Sequence, residues 1–259
     1  MASFLRKLFG QAASVPLVYE NLLAELGVDM HSHLLPGLDD GAETIEQSLG
    51  LLEAMQALGY RKLIMTPHIM GDFYKNTPAT VYAALARMQE AATTAGFANI
   101  QLECAAEYYL DEWLGGKLDS GEGLLSFGGP KKYLLLETSY MNEPFNMQDI
   151  IFRLKAQGYQ PVLAHPERYT YLYGRFSELE KIHDNGVLFQ INLNSLAGYY
   201  SSGAQRVAEK LIDARLVDFV GTDAHNLKHT ETLRSKVLPL AYLKKVLALP
   251  LLNNTLLTD

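Results

Sequence analysis

Val217-Asp218-Phe219-Val220-Gly221-Thr222-Asp223-Ala224-His225 is the stretch that decides the fold. Its first six residues are short and mostly apolar, as a parallel strand covered on both faces is. The run then ends on an aspartate and a histidine two residues apart. That is the strand period, which puts both side chains on one side of an extended chain. The pattern recurs along the chain. Strand-like runs at 27–31, 62–66, 100–107, 133–138, 161–164 and 188–192 precede the one at 217–222. Helix-like stretches of 3.6-residue period lie between them, the clearest at 43–58, 78–95, 147–157, 176–184, 204–214 and 233–247. Gly59, Gly96, Gly158 and Gly186 stand where helices stop, and Pro78 where one starts.

This alternation predicts a parallel sheet. No glycine-rich dinucleotide fingerprint follows the first strand. The expectation is one α/β domain, a closed or nearly closed (β/α) barrel, with an open doubly wound sheet as the alternative. A length of 259 residues suits one such barrel or two small domains, and no linker or low-complexity tract divides the chain. No apolar run approaches the roughly 18 residues that span a bilayer. The start, residues 1–10, has Arg6 and Lys7 but no long apolar core, so it reads as a short amphipathic helix packed on the body rather than a signal peptide. A net charge of −7 without a basic patch argues against nucleic acid. The single cysteine, Cys104, has no partner for an internal disulfide, which fits the reducing cytoplasm.

The polar residues fall at the strand ends. His31 and His33 end the first strand, within Asp29-Met30-His31-Ser32-His33, and His68 follows the second. Glu107 ends the third, Glu137 the fourth, His165 the fifth, Asn192 and Asn194 the sixth, and Asp223 and His225 the seventh. In a parallel barrel these ends share the face where active sites lie, so residues far apart in sequence should converge on one pocket. Each has a plainer reading: a surface accident for His-x-His, an Asp-rich turn and helix cap for Leu38-Asp39-Asp40-Gly41, a lone loop histidine for His68. A buried unpaired carboxylate is costly, which gives Glu107 a reason to meet a metal, even two. Asp40 is favoured over Asp39 as a ligand. Glu137 is an outer support or the buried partner of a basic residue, and stays outside the set. His183 reads as structural or solvated.

The favoured metal ligands are His31, His33, Asp40, His68, Glu107, His165, Asp223 and His225. Eight are too many for one tetrahedral ion. Two or three ions sharing carboxylates fit better, and mixed imidazole and carboxylate ligands suit Mn²⁺, Fe²⁺, Co²⁺ or Zn²⁺. Arg168, in Ala164-His165-Pro166-Glu167-Arg168, is placed to clamp an anion, with a surface ion pair as the plainer reading. Clustered metals lower the pKa of bound water and neutralise charge on a phosphoryl group. Phosphoester hydrolysis is therefore the expected class. The thiolate route needs Cys-x5-Arg, and the sixth residue after Cys104 is Leu110.

The motifs His31-Ser32-His33-Leu34-Leu35-Pro36-Gly37-Leu38-Asp39-Asp40-Gly41, Thr66-Pro67-His68, Ala106-Glu107-Tyr108-Tyr109, His165-Pro166-Glu167-Arg168-Tyr169 and Thr222-Asp223-Ala224-His225-Asn226 make the chain resemble the PHP (polymerase and histidinol phosphatase) superfamily. Within it, the chain is similar to the bacterial capsular-polysaccharide type of manganese-dependent protein tyrosine phosphatase. The resemblance implies a single-domain, distorted (β/α)7 TIM-like barrel over 27–259, with 1–26 as an N-terminal extension. It also implies three metal ions. One takes His31, His33, Glu107 and Asp223, a second Glu107 and His165, and a third Asp40, His68 and His225. It further implies a substrate in the tyrosine-rich tail of a bacterial kinase that controls exopolysaccharide export. The family often carries an arginine soon after the last motif. Here Asn226-Leu227-Lys228-His229-Thr230 has none before Arg234, and Lys228 or His229 stands as its replacement.

The mechanism expected is in-line attack by a metal-activated hydroxide, with Arg168 stabilising the equatorial oxygens and His225 or His229 assisting the leaving group through water. Phe73, Tyr74, Tyr108, Tyr109, Tyr169 and Tyr171 either flank a substrate ring or pack the rim. A small-molecule phosphatase of the superfamily, acting on a compound like histidinol phosphate, is the nearest rival. A metal-binding regulatory module without turnover is the rival of another class.

Overall fold

The computed structural model describes residues 22–257. The helix expected at 1–10 and most of the 1–26 extension lie outside them. Leu22–Leu26 is a short helix, α1, with Leu23 and Leu26 buried.

Every strand pairing among the described residues is parallel. One sheet has three strands in the order β1 (Val28–Asp29), β2 (Lys62–Met65), β4 (Gln101–Cys104). The other has six, in the order β3 (His68–Ile69), β5 (Glu107–Tyr109), β6 (Tyr133–Glu137), β7 (Gln160–Ala164), β8 (Leu188–Asn192), β9 (Phe219–Gly221). The order never reverses, whereas a doubly wound sheet needs a reversal at its switch point. Helices α2 (Ile45–Ala57), α3 (Pro78–Ala95), α4 (Glu112–Ser120), α5 (Met147–Ala156), α6 (Phe176–Asp184), α7 (Ser202–Asp213), α8 (Leu227–Thr232) and α9 (Ala241–Leu247) intervene. They start as their sequence directs. Thr44, Thr77, Asp111 and Ser201 each accept a first-turn backbone N–H through the side chain.

Two expectations need correction, and one helix was not anticipated. The 100–107 run is not one strand: it breaks at Ala105-Ala106, and its halves, β4 and β5, lie in different sheets. The preceding strand breaks in step at Thr66-Pro67, because Pro67 has no N–H to continue the ladder. Its carbonyl still accepts from Glu107 N at 3.1 Å. The 233–247 helix is two pieces: α8 runs into a π-helical turn at Leu233–Val237, and Pro239 separates this from α9. Helix α4 was not anticipated, since Gly115-Gly116 in its middle dilutes the helical signal.

Among the described residues, two apolar clusters form the core. The larger packs the helices on the outer faces of the strands. The smaller takes Val28 and Met30, Ile64, Ala105, Tyr133 and Leu135, Val162 and Ala164, and Phe219, so residues of both sheets meet in it. Within β6 and β7 its members alternate, as one face of a strand does. Beyond the ladders, the sheets join at a parallel bridge, Ser32 to Ala224, where Asp223 N donates to His31 O at 2.8 Å and His33 N to Ala224 O at 3.0 Å. Below it, Asn253 Oδ1 accepts from Val220 N at 3.0 Å and its Nδ2 donates to Val220 O at 2.8 Å.

Candidate metal centre

All eight sequence-predicted ligands gather in one cluster. His68 and Glu107 do not end strands, as Glu107 was expected to: they open β3 and β5, just past the breaks after β2 and β4. Parity places several of them. Glu107 follows Ala105 by two, His68 follows Ile64 by four, and Ala105 and Ile64 belong to the interior cluster. Two others sit on left-handed backbone, His165 at φ 35° and Asp223 at φ 50°. This conformation costs a non-glycine residue roughly 1–2 kcal/mol, which the surrounding structure must hold in place. Two glycines make room. A Cβ at Gly221 would lie 2.7 Å from His31 Cβ, and one at Gly41 would lie 2.1 Å from His33 O.

Glu107, fully buried, is the hub. Its Oε2 lies 3.1 Å from His31 Nε2, 3.4 Å from His33 Nε2 and 3.1 Å from His68 Nδ1. Its Oε1 lies 3.0 Å from His165 Nε2. Asp223 Oδ1 is 3.5 Å from His31 Nε2, 3.3 Å from His33 Nε2 and 3.4 Å from His225 Nδ1. Asp40 Oδ1, half exposed at the mouth, is 3.6 Å from His68 Nε2 and 3.5 Å from His225 Nε2. Four groups with ligand atoms within 4.8 Å of one another result: His33, Asp40, His68 and His225; His31, His33 and Asp223; His31, Glu107 and His165; His68, Glu107 and Glu137.

The outer hydrogen bonds decide what faces inward. His31 Nδ1–H donates to Gln190 Oε1 at 2.7 Å, and Gln190 Nε2 donates to Asn192 Oδ1 at 2.9 Å. His33 Nδ1–H donates to Asp39 Oδ2 at 2.7 Å. Asp39 also accepts from His68 N and Gly41 N, so it orients ligands and stands outside the four groups. In these tautomers His31 Nε2 and His33 Nε2, 3.3 Å apart, present lone pairs to each other and to carboxylate oxygens. Acceptors facing acceptors in a buried site need a shared proton or a cation. The site's charge balance reflects this. Burial disfavours the charged His31 imidazole, but Glu107 and Asp223 push its pKa up to about 9. Burial also opposes ionised Glu107, and His31 and His68 hold it well below the usual range. Burial, then the Glu107 charge, raises Glu137 to about 8. Burial, then Arg168, lowers His165 to about 4. Buried His165 Nδ1 has no hydrogen-bond partner, and His68 Nδ1, though 3.1 Å from Glu107 Oε2, is not aligned for one. The donor set fits divalent cations of the borderline kind.

Arg168 lies beside this cluster. Its Nη1 donates to Asp223 Oδ2 at 2.8 Å, while Asn192 Nδ2 donates to the same oxygen at 2.7 Å. The guanidinium carbon sits 4.5 Å from the Tyr140 ring and 4.0 Å from the Tyr200 ring, one aromatic face to each side. Asp223 thus turns one oxygen to the histidines and the other to Arg168. His229 is outside the four groups. Its Nδ1 accepts from His225 N at 3.1 Å and lies 2.9 Å from Asp223 O, which braces the last motif. Burial, then the nearby His225, lowers its pKa. His183 pairs with Asp218 at 3.0 Å, a structural contact.

Sequence reasoning kept Glu137 outside the ligand set, placed Asn192 at a strand end without a role, and missed Gln190. Their signal was present: Glu137 continues the parity of Tyr133 and Leu135, and Gln190 and Asn192 are polar residues at period two in an apolar strand. Of the rim aromatics, Tyr108 and Tyr169 are buried packing groups. Tyr108 OH accepts from Leu125 N, and Tyr169 OH donates to Ala164 O. Phe73 is exposed, and Tyr74 stacks on His68 at 5.6 Å between ring centres.

A family model for capsular polysaccharide synthesis, CpsB/CapC, matches residues 27–240. The chain belongs to the CpsB/CapC family. It is 31% identical over 201 residues, 78% of each chain, to the tyrosine-protein phosphatase YwqE of Bacillus subtilis. It is 27% identical over 202 residues, 77% of each chain, to the putative tyrosine-protein phosphatase CapC of Staphylococcus aureus. A solved structure in the set describing YwqE from Bacillus subtilis and CpsB from Streptococcus pneumoniae, unique metal-dependent tyrosine phosphatases, superposes with a TM-score of 0.72 at 31% identity. It covers 79% of this chain and 83% of that one. No helix among the described residues is long and apolar enough to cross a membrane.

Proposed function

We propose that this chain is a metal-dependent protein tyrosine phosphatase of capsular or exopolysaccharide synthesis. The observation that carries the reading is Glu107 at the junction of four histidines, with Arg168 held against the adjoining Asp223. Family membership and the tyrosine-phosphatase relatives support the same activity. The two sheets are read as one distorted (β/α)7 barrel. The Ser32–Ala224 bridge and the shared interior cluster support closure.

The residues that would hold cations are His31, His33, Asp40, His68, Glu107, His165, Asp223 and His225, with Glu137 a ninth candidate within reach. Two to three Mn²⁺ ions, or Fe²⁺, Co²⁺ or Zn²⁺, suit this set. When bound, such ions supply an ionised water near neutral pH and positive charge against phosphoryl oxygens. The chain's own residues do the rest. Gln190 and Asp39 fix the tautomers of His31 and His33. Arg168, gripped between two rings, keeps donors beyond Nη1 for an anionic oxygen and stabilises charge there in the transition state. The leaving phenolate has a pKa near ~10 and needs little protonation. His225, partly exposed at the mouth, is the candidate to pass it a proton through water. His229 is proposed to act by bracing His225. The proposed substrate is a tyrosine-phosphorylated protein, the tail of a kinase of the same export system, met in the cytoplasm.

The test is a chelated, metal-free preparation assayed on a phosphotyrosine peptide, p-nitrophenyl phosphate and histidinol phosphate before and after adding Mn²⁺. Activity restored on the first two supports the reading, with elemental analysis giving the ion count. Turnover of histidinol phosphate alone supports the small-molecule rival, and no turnover with metal loaded ends the phosphatase reading.

A further inference from the structure

We propose that the loop between β6 and α5 is a preformed ledge that reads the polypeptide around a phosphorylated tyrosine, with Met141 and Phe145 as specificity-determining side chains. The proposal rests on the phosphatase reading above. The loop begins at the site itself. Glu137, its last strand residue, belongs to the ligand cluster, and Tyr140 forms one wall of the Arg168 clamp. The chain then leaves the site along the rim and shows Met141 and Phe145 to solvent, 76% and 96% exposed.

This loop is held in place. Thr170 N and Oγ1 donate to Tyr140 O at 2.7 and 2.8 Å. Met141 N and Asn142 N donate to Ser139 Oγ at 3.3 and 3.2 Å. Arg175 grips Glu143 through two nitrogens, at 2.6 and 3.5 Å. That pair also offsets the charge of the ledge's one acidic side chain. A pinned loop gains nothing in folding by showing a phenylalanine and a methionine to water. Its continuity with the anion clamp identifies the occupant: apolar side chains flanking a phosphotyrosine whose phosphate reaches Arg168. A second copy of the chain is the lesser candidate. Large side chains bury about 150–250 Å² each, so two give at most roughly 500 Å², short of the ~800 Å² per partner of a stable interface. A small phosphoester would reach Arg168 without touching the ledge.

The experiment compares Mn²⁺-loaded wild type with Met141→Ser/Phe145→Ser on two substrates: a phosphotyrosine peptide with leucine or phenylalanine on both sides, and p-nitrophenyl phosphate. The ratio of their kcat/KM values should fall about tenfold in the variant, through the KM of the peptide. A peptide with glycine and serine flanks should show no such fall. An unchanged ratio, or equal loss with both peptides, overturns the ledge. Wild type that sediments as a dimer, with a monomeric variant, assigns the surface to a second copy and also overturns it. Wild type that hydrolyses neither substrate when loaded ends the phosphatase reading, and the ledge with it.

Discussion

The same strands end in two different chemistries. At their amino ends, Phe219 meets Tyr133 and Phe127 edge to face at 5.1 and 5.8 Å, Phe127 tilts against Tyr133 at 5.4 Å, and Asn253 satisfies both backbone groups of Val220. At their carboxyl ends, imidazoles and carboxylates crowd within 3.0–3.6 Å, two ligand candidates sit on left-handed backbone, and buried His165 Nδ1 lacks a partner. The first end is closed by packed rings and paired backbone, whereas the second keeps a buried ring nitrogen without a partner. A satisfied end adds stability, whereas an unsatisfied buried end persists only where something outside the chain completes it. That division matches the general behaviour of parallel α/β sheets, whose ligands bind beyond the carboxyl ends of the strands.

The sharpest way to break this contrast is to remove the hub. Glu107→Ala should abolish phosphatase activity by on the order of 10³-fold or more and strip the metal, while far-UV circular dichroism stays that of a folded protein. Unfolding together with inactivation would mean that both ends serve stability. Next comes Arg168→Ala, which should lower kcat/KM by roughly 10²–10³-fold with metal content retained. Arg168→Lys should recover little, because an ammonium fills neither the two-sided aromatic stack nor a forked contact. Loss of metal in Arg168→Ala would instead make its bond to Asp223 the important one.

Stability and activity should separate most clearly at the opposite end. Asn253→Ala leaves Val220 N and O without partners and should cost roughly 2–3 kcal/mol in denaturant unfolding. The kcat of the folded fraction should not change. A variant of unchanged stability but reduced turnover would dissolve the division between the two ends.

How much of this was legible in the sequence follows the same division. The ligands lay in view because each follows an apolar run: His31, Glu107, His165 and Asp223 stand where a strand pattern stops. Their convergence needed only parallel strands. The supports were harder to see. Gln190 is an ordinary amide in an apolar strand, and only its parity marks it as inward. Asp39 and Asp40 are indistinguishable by type, and the bond from His33 separates their roles. The split of 100–107 into β4 and β5 depends on how two adjacent strands break together, which no single-strand pattern carries. Helix α4 hid behind its two glycines. The Tyr140–Arg168–Tyr200 stack joins three loops, so no spacing announces it.

Those supports set the smaller effects. Gln190→Ala removes the acceptor for His31 Nδ1–H and should weaken Mn²⁺ binding by roughly 10–100-fold. Saturating metal should rescue most of the activity, which a ligand deletion would not allow.

The mildest perturbation is pH, and its sign follows from the crowding itself. In the metal-free site the neighbouring carboxylates raise His31 from 6.5 to about 9, so it holds a proton at neutral pH. A cation must displace that proton to use Nε2. Loading should therefore release protons, and apparent affinity should climb by up to about tenfold per unit as pH rises toward 9, then level off. Calorimetric titration of the metal-free protein with Mn²⁺, in two buffers of different ionisation enthalpy, counts the protons directly. Release near zero at pH 7 would mean that the imidazoles already stand neutral, and that the carboxyl ends of the strands are less frustrated than their geometry implies.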